Sequence, residues 1–158
     1  MLRRTIIASV PALALLDPWR VAAQQGAGLA TVQSRHGVAA TLDRFEAAVR
    51  EKGWMVFTRI DHAAAAREAG LPLRPRTVVV FGNPRAGTPA MAANPTLALD
   101  LPMRALVWED GQGAVWVTRN TGEHTAEAIY SRHGAAMPAE ARQALEALLS
   151  GLVRQATE

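Results

Sequence analysis

The sequence contains no cysteine, which excludes a disulfide framework and any zinc or iron–sulfur site held by cysteine ligands. It has no apolar run long enough for a protein that crosses a membrane several times. Internal repeats, a sustained heptad pattern and low-complexity tracts are also missing, which excludes solenoid, coiled-coil and collagen-like classes. The chain of 158 residues is 49% hydrophobic, and this length and composition predict one compact domain with a single core.

Lysine is almost absent as well, because 16 of the 17 basic residues are arginine. Arginine keeps its proton to very high pH, which explains a sequence pI of about 10.5 in a chain whose net charge is only +3. The arginines are scattered among acidic residues, whereas nucleic-acid-binding domains usually carry a clustered basic stripe. We therefore expect no nucleic-acid partner.

The first 23 residues follow the order of segments that is typical of a cleaved export signal. Arg3 and Arg4 form a short basic start, Thr5–Leu16 is mostly apolar, and small residues precede Gln24. Because the apolar segment is shorter than the roughly 20 residues of a membrane-spanning helix, cleavage is favoured over an uncleaved anchor. We expect an exported protein, periplasmic or secreted, without a membrane span after cleavage. The arginine pair leaves both the general secretory and the twin-arginine route open.

The mature chain is predicted to begin at Gln24 and then holds 14 basic and 13 acidic groups, a net charge of +1. Residues 24–28 are predicted to be a flexible start, and residues 29–155 a single domain. Within it, hydrophobic periodicity predicts five strands, at Leu29–Arg35, Trp54–Ile60, Thr77–Phe81, Ala105–Glu109 and Ala114–Thr118. Helices are predicted from Val38 to a closing Gly53, over His62–Ala69, over Glu123–Arg132 and from Pro138 onward. The order is β-α-β-β-β-β-α with small helical insertions.

The segment Gly82–Pro102 is dense in glycine, proline and asparagine. This composition predicts a long loop with one helical turn near Ala90–Ala93. Loops of that length inside a compact domain are usually functional.

The sequence between the last two strands, Asp110–Gly113, predicts a tight hairpin turn. Because neighbouring strand residues point to opposite faces, Leu106 and Trp108 share one face and Val107 takes the other. Trp116 alternates with valines in the same way, so both faces of this ribbon are apolar. The tryptophan face is covered either by the inserted loop or a terminal segment, or by a second subunit or a ligand. We expect a two-fold homodimer.

Polar residues stand at the ends of the predicted strands, where sites are often built. The candidate ligand-binding residues are Asp61, His62, Asn83, Asp100 and Arg104, and we expect them to converge in one cleft under the Gly82–Pro102 segment.

Each candidate also has a structural interpretation. Asp61 can cap the following helix, Asn83 can belong to a turn, and His62 can be a surface residue of a first helical turn. Arg104 can pair with Asp100 or clamp a carboxylate. No histidine spacing defines a metal motif, and we expect neither a metal nor another cofactor.

The ordered motifs around these residues resemble one known family. They are Arg59-Ile60-Asp61-His62, Ala66, Ala69-Gly70-Leu71, Phe81-Gly82-Asn83-Pro84, Gly87-Thr88, Met91 and Leu99-Asp100-Leu101-Pro102-Met103-Arg104. Together they look like the family known as Domain of Unknown Function 302, over roughly Leu29–Val153. The resemblance implies a two-layer α+β domain, β-α-β(4)-α, with a mostly antiparallel sheet and helices on one face, similar to the TATA-binding-protein-like fold. It implies no established activity and supplies no catalytic residues.

Two functions follow from the sequence. The first is an exported, non-catalytic module that binds a small ligand or a partner protein, because no catalytic signature is present. The alternative is a small enzyme that uses His62 as general acid or base, with Asp61 or Asp100 orienting it and Arg104 holding an anionic group.

Overall fold

The computed structural model describes residues 28–158. The predicted export signal and residues 24–27 of the predicted flexible start lie outside the described residues, so both stay predictions.

Five strands form one antiparallel sheet in the spatial order β1-β5-β4-β3-β2. The strands are β1 (Leu29–Ser34), β2 (Met55–Asp61), β3 (Arg76–Gly82), β4 (Met103–Glu109) and β5 (Val115–Asn120). Each lies within two residues of its predicted bounds. The predicted α+β class, the antiparallel sheet and the order of strands along the chain are therefore confirmed.

The helical elements are α1 (Val38–Glu51), α2 (His62–Glu68), α3 (Pro84–Ala93), a 3₁₀ helix (Pro95–Leu99), α4 (Gly122–His124) continuing as a π-helical segment (Thr125–Tyr130), and α5 (Ala139–Thr157). The long helices α1 and α5 cover one face of the sheet, because each carries an apolar stripe at helical spacing. Leu42, Phe45 and Val49 form that stripe on α1 and are nearly inaccessible to solvent. They pack with Leu149, Leu152 and Val153 of α5 and with alternate residues of the central strands, such as Val107 and Val117.

The hairpin between β4 and β5 has the predicted geometry. Gly113 adopts φ +84°, and the Asp110 carboxylate accepts the backbone N–H groups of Gln112 and Ala114, both at 2.9 Å. Trp108 pairs with Trp116 across the ribbon, on the face opposite α1 and α5. The prediction of a two-sided apolar ribbon is confirmed.

The prediction of a long loop over Gly82–Pro102 is wrong, because most of that segment is α3 and the 3₁₀ helix. Proline is tolerated in the first turn of a helix, where no hydrogen bond to its nitrogen is needed, and Pro84 occupies that position. The Asn83 side chain caps the same turn by accepting the N–H of Arg85 at 3.0 Å. Leu97 of the 3₁₀ helix is fully buried and anchors the segment to the domain.

Candidate ligand-binding site

The predicted convergence of the five candidate residues does not occur. Asp61, at the end of β2, pairs with Thr77 at the start of β3, whereas Phe81 at the other end of β3 pairs with Met103. Asp61 and His62 therefore lie at one end of the sheet, and Asn83, Asp100 and Arg104 lie at the other. The physical reason is that neighbouring strands are antiparallel, so consecutive strand ends alternate between the two ends of the sheet.

Two of the candidates cap helices. The Asp61 carboxylate accepts the N–H of Ala64 at 3.0 Å, which satisfies one of the free donors in the first turn of α2. Asn83 does the same for α3. His62 is the first residue of α2 and is exposed. These positions match the structural interpretations of Asp61 and His62, whereas Asn83 caps a helix instead of belonging to a turn.

A large cavity of about 850 Å³ opens at the end of the sheet that carries Asn83. It lies between α3 and the first half of α5. The start of β2, the start of β4, the π-helical segment and the segment before α5 also contribute to its wall. Trp54, Met103, Leu145 and Leu148 line it and also pack against the hydrophobic core, so its floor is the uncovered end of that core.

The side chains of the two helices explain why this space is open. The apolar face of α5 carries leucine at positions 145 and 148 but only alanine at 141 and 144, and all four positions line the cavity. On α3 the lining positions include Ala86, Gly87 and Ala90. The two helices therefore face the gap with small residues that do not fill it. The sequence signal was this change from leucine to alanine along one helix face.

Among the described residues, no charged side chain lines this cavity. Its polar groups are few and include the hydroxyls of Thr125 and Tyr130. Burial raises the pKa of Tyr130, so its hydroxyl keeps its proton and remains a hydrogen-bond donor. The cavity wall is therefore mostly apolar, with a few neutral polar groups.

A second, smaller cavity of about 220 Å³ adjoins the first. Leu101, Met103 and Thr125 line both cavities. The wall of the smaller one also includes Asp100 and three arginines, Arg104, Arg119 and Arg132. Of the predicted site, this cavity unites only Asp100 and Arg104.

Asp100 forms hydrogen bonds with two residues that were not among the predicted site residues, Arg132 and His133. Its Oδ2 accepts a hydrogen bond from Arg132 Nε at 2.7 Å and lies 2.5 Å from His133 Nε2, while His133 Nδ1 lies 3.0 Å from Thr96 Oγ1. The bond to His133, followed by that to Arg132, lowers the pKa of Asp100. This cluster ties the 3₁₀ helix to the chain after α4. His133 is 33 residues from Asp100, so no local pattern could have joined them.

Arg119 and Glu146 form the other ion pair of the smaller cavity. Arg119 Nη1 and Nη2 donate to the two carboxylate oxygens at 3.1 and 2.6 Å, and the Gly122 N–H donates to Oε2 at 2.7 Å. The Arg119 hydrogen bonds are the main cause that lowers the pKa of Glu146 to about 2. Arg119 Nε is buried and has no hydrogen-bond partner in the part of the chain that the structure describes.

The family model described as "Domain of unknown function DUF302" matches residues 30–152. The chain belongs to this family. The DUF302 resemblance seen in the strand-end motifs is therefore confirmed.

A solved DUF302 protein from Bacillus stearothermophilus, titled an uncharacterized conserved protein, has the same fold. Its TM-score to this chain is 0.68 at 16% identity, with 83% of this chain and 99% of that chain covered. At that identity the likeness establishes the fold alone.

Two curated relatives from Brucella are 46% identical to this DUF302 chain over 124 residues, or 78% of its length. Both are named "Fluoride-specific ion channel FluC 1", one from Brucella suis biovar 1 (strain 1330) and one from Brucella abortus biovar 1 (strain 9-941). The matched region covers 46% and 44% of their lengths, so the chain spans about half of each. Within residues 28–158, no helix is both long and apolar enough to span a membrane.

Proposed function

We propose that this DUF302 protein is an exported binding module whose large cavity holds a small molecule with an apolar body. The observation that carries the proposal is the cavity of about 850 Å³ without a charged residue in its described wall. Ligand pockets typically measure about 300–1,000 Å³ and have mostly apolar walls with a few polar groups. Export rests on the signal-like composition of the first 23 residues.

The residues named for the catalytic alternative do not lie together in the structure. His62 lies at the opposite end of the sheet from both cavities, and the Asp61 carboxylate is engaged as a helix cap. A general acid or base must lie within hydrogen-bond reach of the reacting group. A ligand held in the large cavity is out of reach of His62, which favours binding over catalysis.

Fluoride is the competing ligand, because the Brucella relatives carry it in their names. A small anion is strongly hydrated, and an apolar wall cannot replace its water shell. The large cavity therefore favours an apolar molecule over fluoride. Titration of the protein with sodium fluoride, with sodium chloride as the control salt, measures whether it binds fluoride.

The binding test uses N-phenyl-1-naphthylamine, an uncharged dye whose emission rises in apolar surroundings. We expect saturable binding to the full chain, together with a change in Trp54 emission, since Trp54 lines the cavity. Ala144→Phe places a ring in the cavity and should weaken dye binding at least about tenfold, since a filled volume cannot hold the ligand.

Ala147→Phe is the matched control, because Ala147 is exposed on the same helix but does not line the cavity. It should leave the dye affinity unchanged. Equal loss in both variants, absence of dye binding, or saturable binding of fluoride in its place would contradict the proposal.

We further propose that a second copy of the chain covers the sheet face opposite α1 and α5. The Trp108 and Trp116 rings stack there with centroids 6.2 Å apart, and the Arg76 guanidinium lies 5.9 Å from the Trp108 ring centre. Five strands spaced about 4.8 Å apart and roughly 20 Å long give a face on the order of 500 Å² in projection. Side chains raise its accessible area towards the roughly 800 Å² that each partner buries in a stable interface.

Ile60→Glu should dissociate this dimer. Ile60 is 45% exposed and pairs with Val78 on the open face, so a buried carboxylate would oppose association. Val32→Glu is the control, since Val32 is 43% exposed but pairs with Val117 on the helix-covered face. Light scattering at micromolar concentration should show a dimer for the wild type and Val32→Glu and a monomer for Ile60→Glu. A monomeric wild type would contradict the proposal.

A further inference from the structure

The two cavities are neighbours of opposite character. Leu101, Met103 and Thr125 belong to both walls, so the two spaces lie directly next to each other. The larger wall is uncharged, whereas the smaller wall holds three arginines and one aspartate among the described residues. One ligand spanning both spaces would need an apolar part and a charged part.

The charges of the smaller cavity do not cancel. Arg119 is neutralised by Glu146, and Arg132 by Asp100. Arg104 makes no ion pair with any residue in the described range 28–158, and it is an exposed residue in the wall of the cavity. One positive charge is therefore left over, which matches a ligand group with a single negative charge.

The buried arginine supplies a second, independent observation. The Arg119 side chain is only 5% exposed, yet within the described chain its Nε has no hydrogen-bond partner. Buried polar groups in folded proteins are nearly always hydrogen-bonded, so an exception calls for an explanation such as strain, a catalytic role, or a bound water or ion. A carboxylate in the smaller cavity can accept hydrogen bonds from arginine forks.

From these observations we propose that the ligand is an amphipathic carboxylate, with its apolar body in the large cavity and its carboxylate beside Arg104 in the smaller one. This inference rests on the proposed binding function and adds the class of ligand. Arg104 is the group that selects the acid over a neutral molecule with the same apolar body. Arg119 stays paired with Glu146, and its unpartnered Nε belongs to a residue in the wall of the same cavity.

Displacement of the bound naphthylamine dye by matched probes tests the inference. Dodecanoate should displace the dye at a concentration at least about tenfold lower than dodecan-1-ol, because a hydrogen bond to a charged group adds to the shared apolar contacts. Both probes are used below the concentration at which they form micelles. Acetate, which has the head group without the apolar body, should not displace the dye.

Arg104→Gln should weaken dodecanoate about tenfold and leave dodecan-1-ol unchanged, while Arg104→Lys should recover part of the loss. Arg67→Gln is the control, because Arg67 is an exposed arginine on α2 at the opposite end of the sheet. Far-ultraviolet circular dichroism establishes that each variant is folded.

The outcomes separate the two proposals. Equal displacement by dodecanoate and dodecan-1-ol, or an Arg104→Gln variant that binds both probes like the wild type, would overturn the carboxylate inference and leave the apolar binding function standing. Failure of the dye and of both probes to bind would overturn the binding function itself.

Discussion

Phe81→Ala is expected to lower the free energy of unfolding by about 3–5 kcal/mol, the usual range for removing a buried aromatic ring. Phe81 is fully buried in β3. Its ring packs edge-on against Phe45 at 5.1 Å between centroids, and the Trp54 ring centre lies 6.4 Å away. Removal of the ring leaves a void between α1 and the sheet that rigid neighbours cannot close. Urea unfolding followed by circular dichroism measures the loss.

Phe57→Ala is the matched control for this core prediction. Phe57 lies at the irregularity in the β2–β3 pairing, is 47% exposed and lines the large cavity. The same chemical change there should cost less than about 1 kcal/mol, because the ring is half in solvent. Similar losses in the two variants would show that Phe81 is not the centre of the core.

Acid is expected to weaken the fold through Glu146. Arg119, Gly122 and Ser150 donate hydrogen bonds to its carboxylate, and the pKa of Glu146 is lowered from 4.5 to about 2. A group with a lowered folded-state pKa stabilises the fold fully above its unfolded-state pKa and loses that contribution as the pH falls through its folded-state value. The loss should therefore develop between about pH 4.5 and pH 2. Because the side chain is 40% exposed, solvent screening limits the contribution to about 1–2 kcal/mol.

Glu146→Gln should remove this pH dependence and lower the stability at pH 7 by about 2 kcal/mol, because it leaves Arg119 buried without its counter-charge. Urea unfolding at pH 7, 5 and 3 provides the measurement. Glu140→Gln, an exposed residue in the first turn of the same helix, should change the stability by no more than about 0.5 kcal/mol. Parallel pH profiles for the wild type and Glu146→Gln would refute the role of this carboxylate.

The elements of the fold could be predicted from local sequence. The Leu42, Phe45 and Val49 spacing predicted α1, and the apolar segments on either side of the Asp110–Gly113 turn predicted β4 and β5. The hairpin followed from Asp110–Gly113, because the carboxylate that caps the turn and the glycine that needs a positive φ are both within it. Each of these signals acts between residues a few positions apart, which is why the sequence reveals them.

The error at Gly82–Pro102 shows where such local signals compete. Glycine and proline counted as helix breakers, yet Pro84 stands in the first turn of α3, where it is tolerated, behind the capping Asn83. Composition alone could not reveal that the buried Leu97 holds the segment against the domain.

The candidate site was decided by tertiary structure. Because neighbouring strands are antiparallel, Asp61 and His62 lie at one end of the sheet and Arg104 lies at the other. This placement depends on the strand order and register. Asp100 forms a hydrogen bond with His133, which lies in a distant part of the chain. The sequence determined the strands, the two long helices and the family, because their signals are local and ordered along the chain. The large cavity depends on how small residues of α3 and α5 face each other across space, so only the packing of the whole domain could determine it.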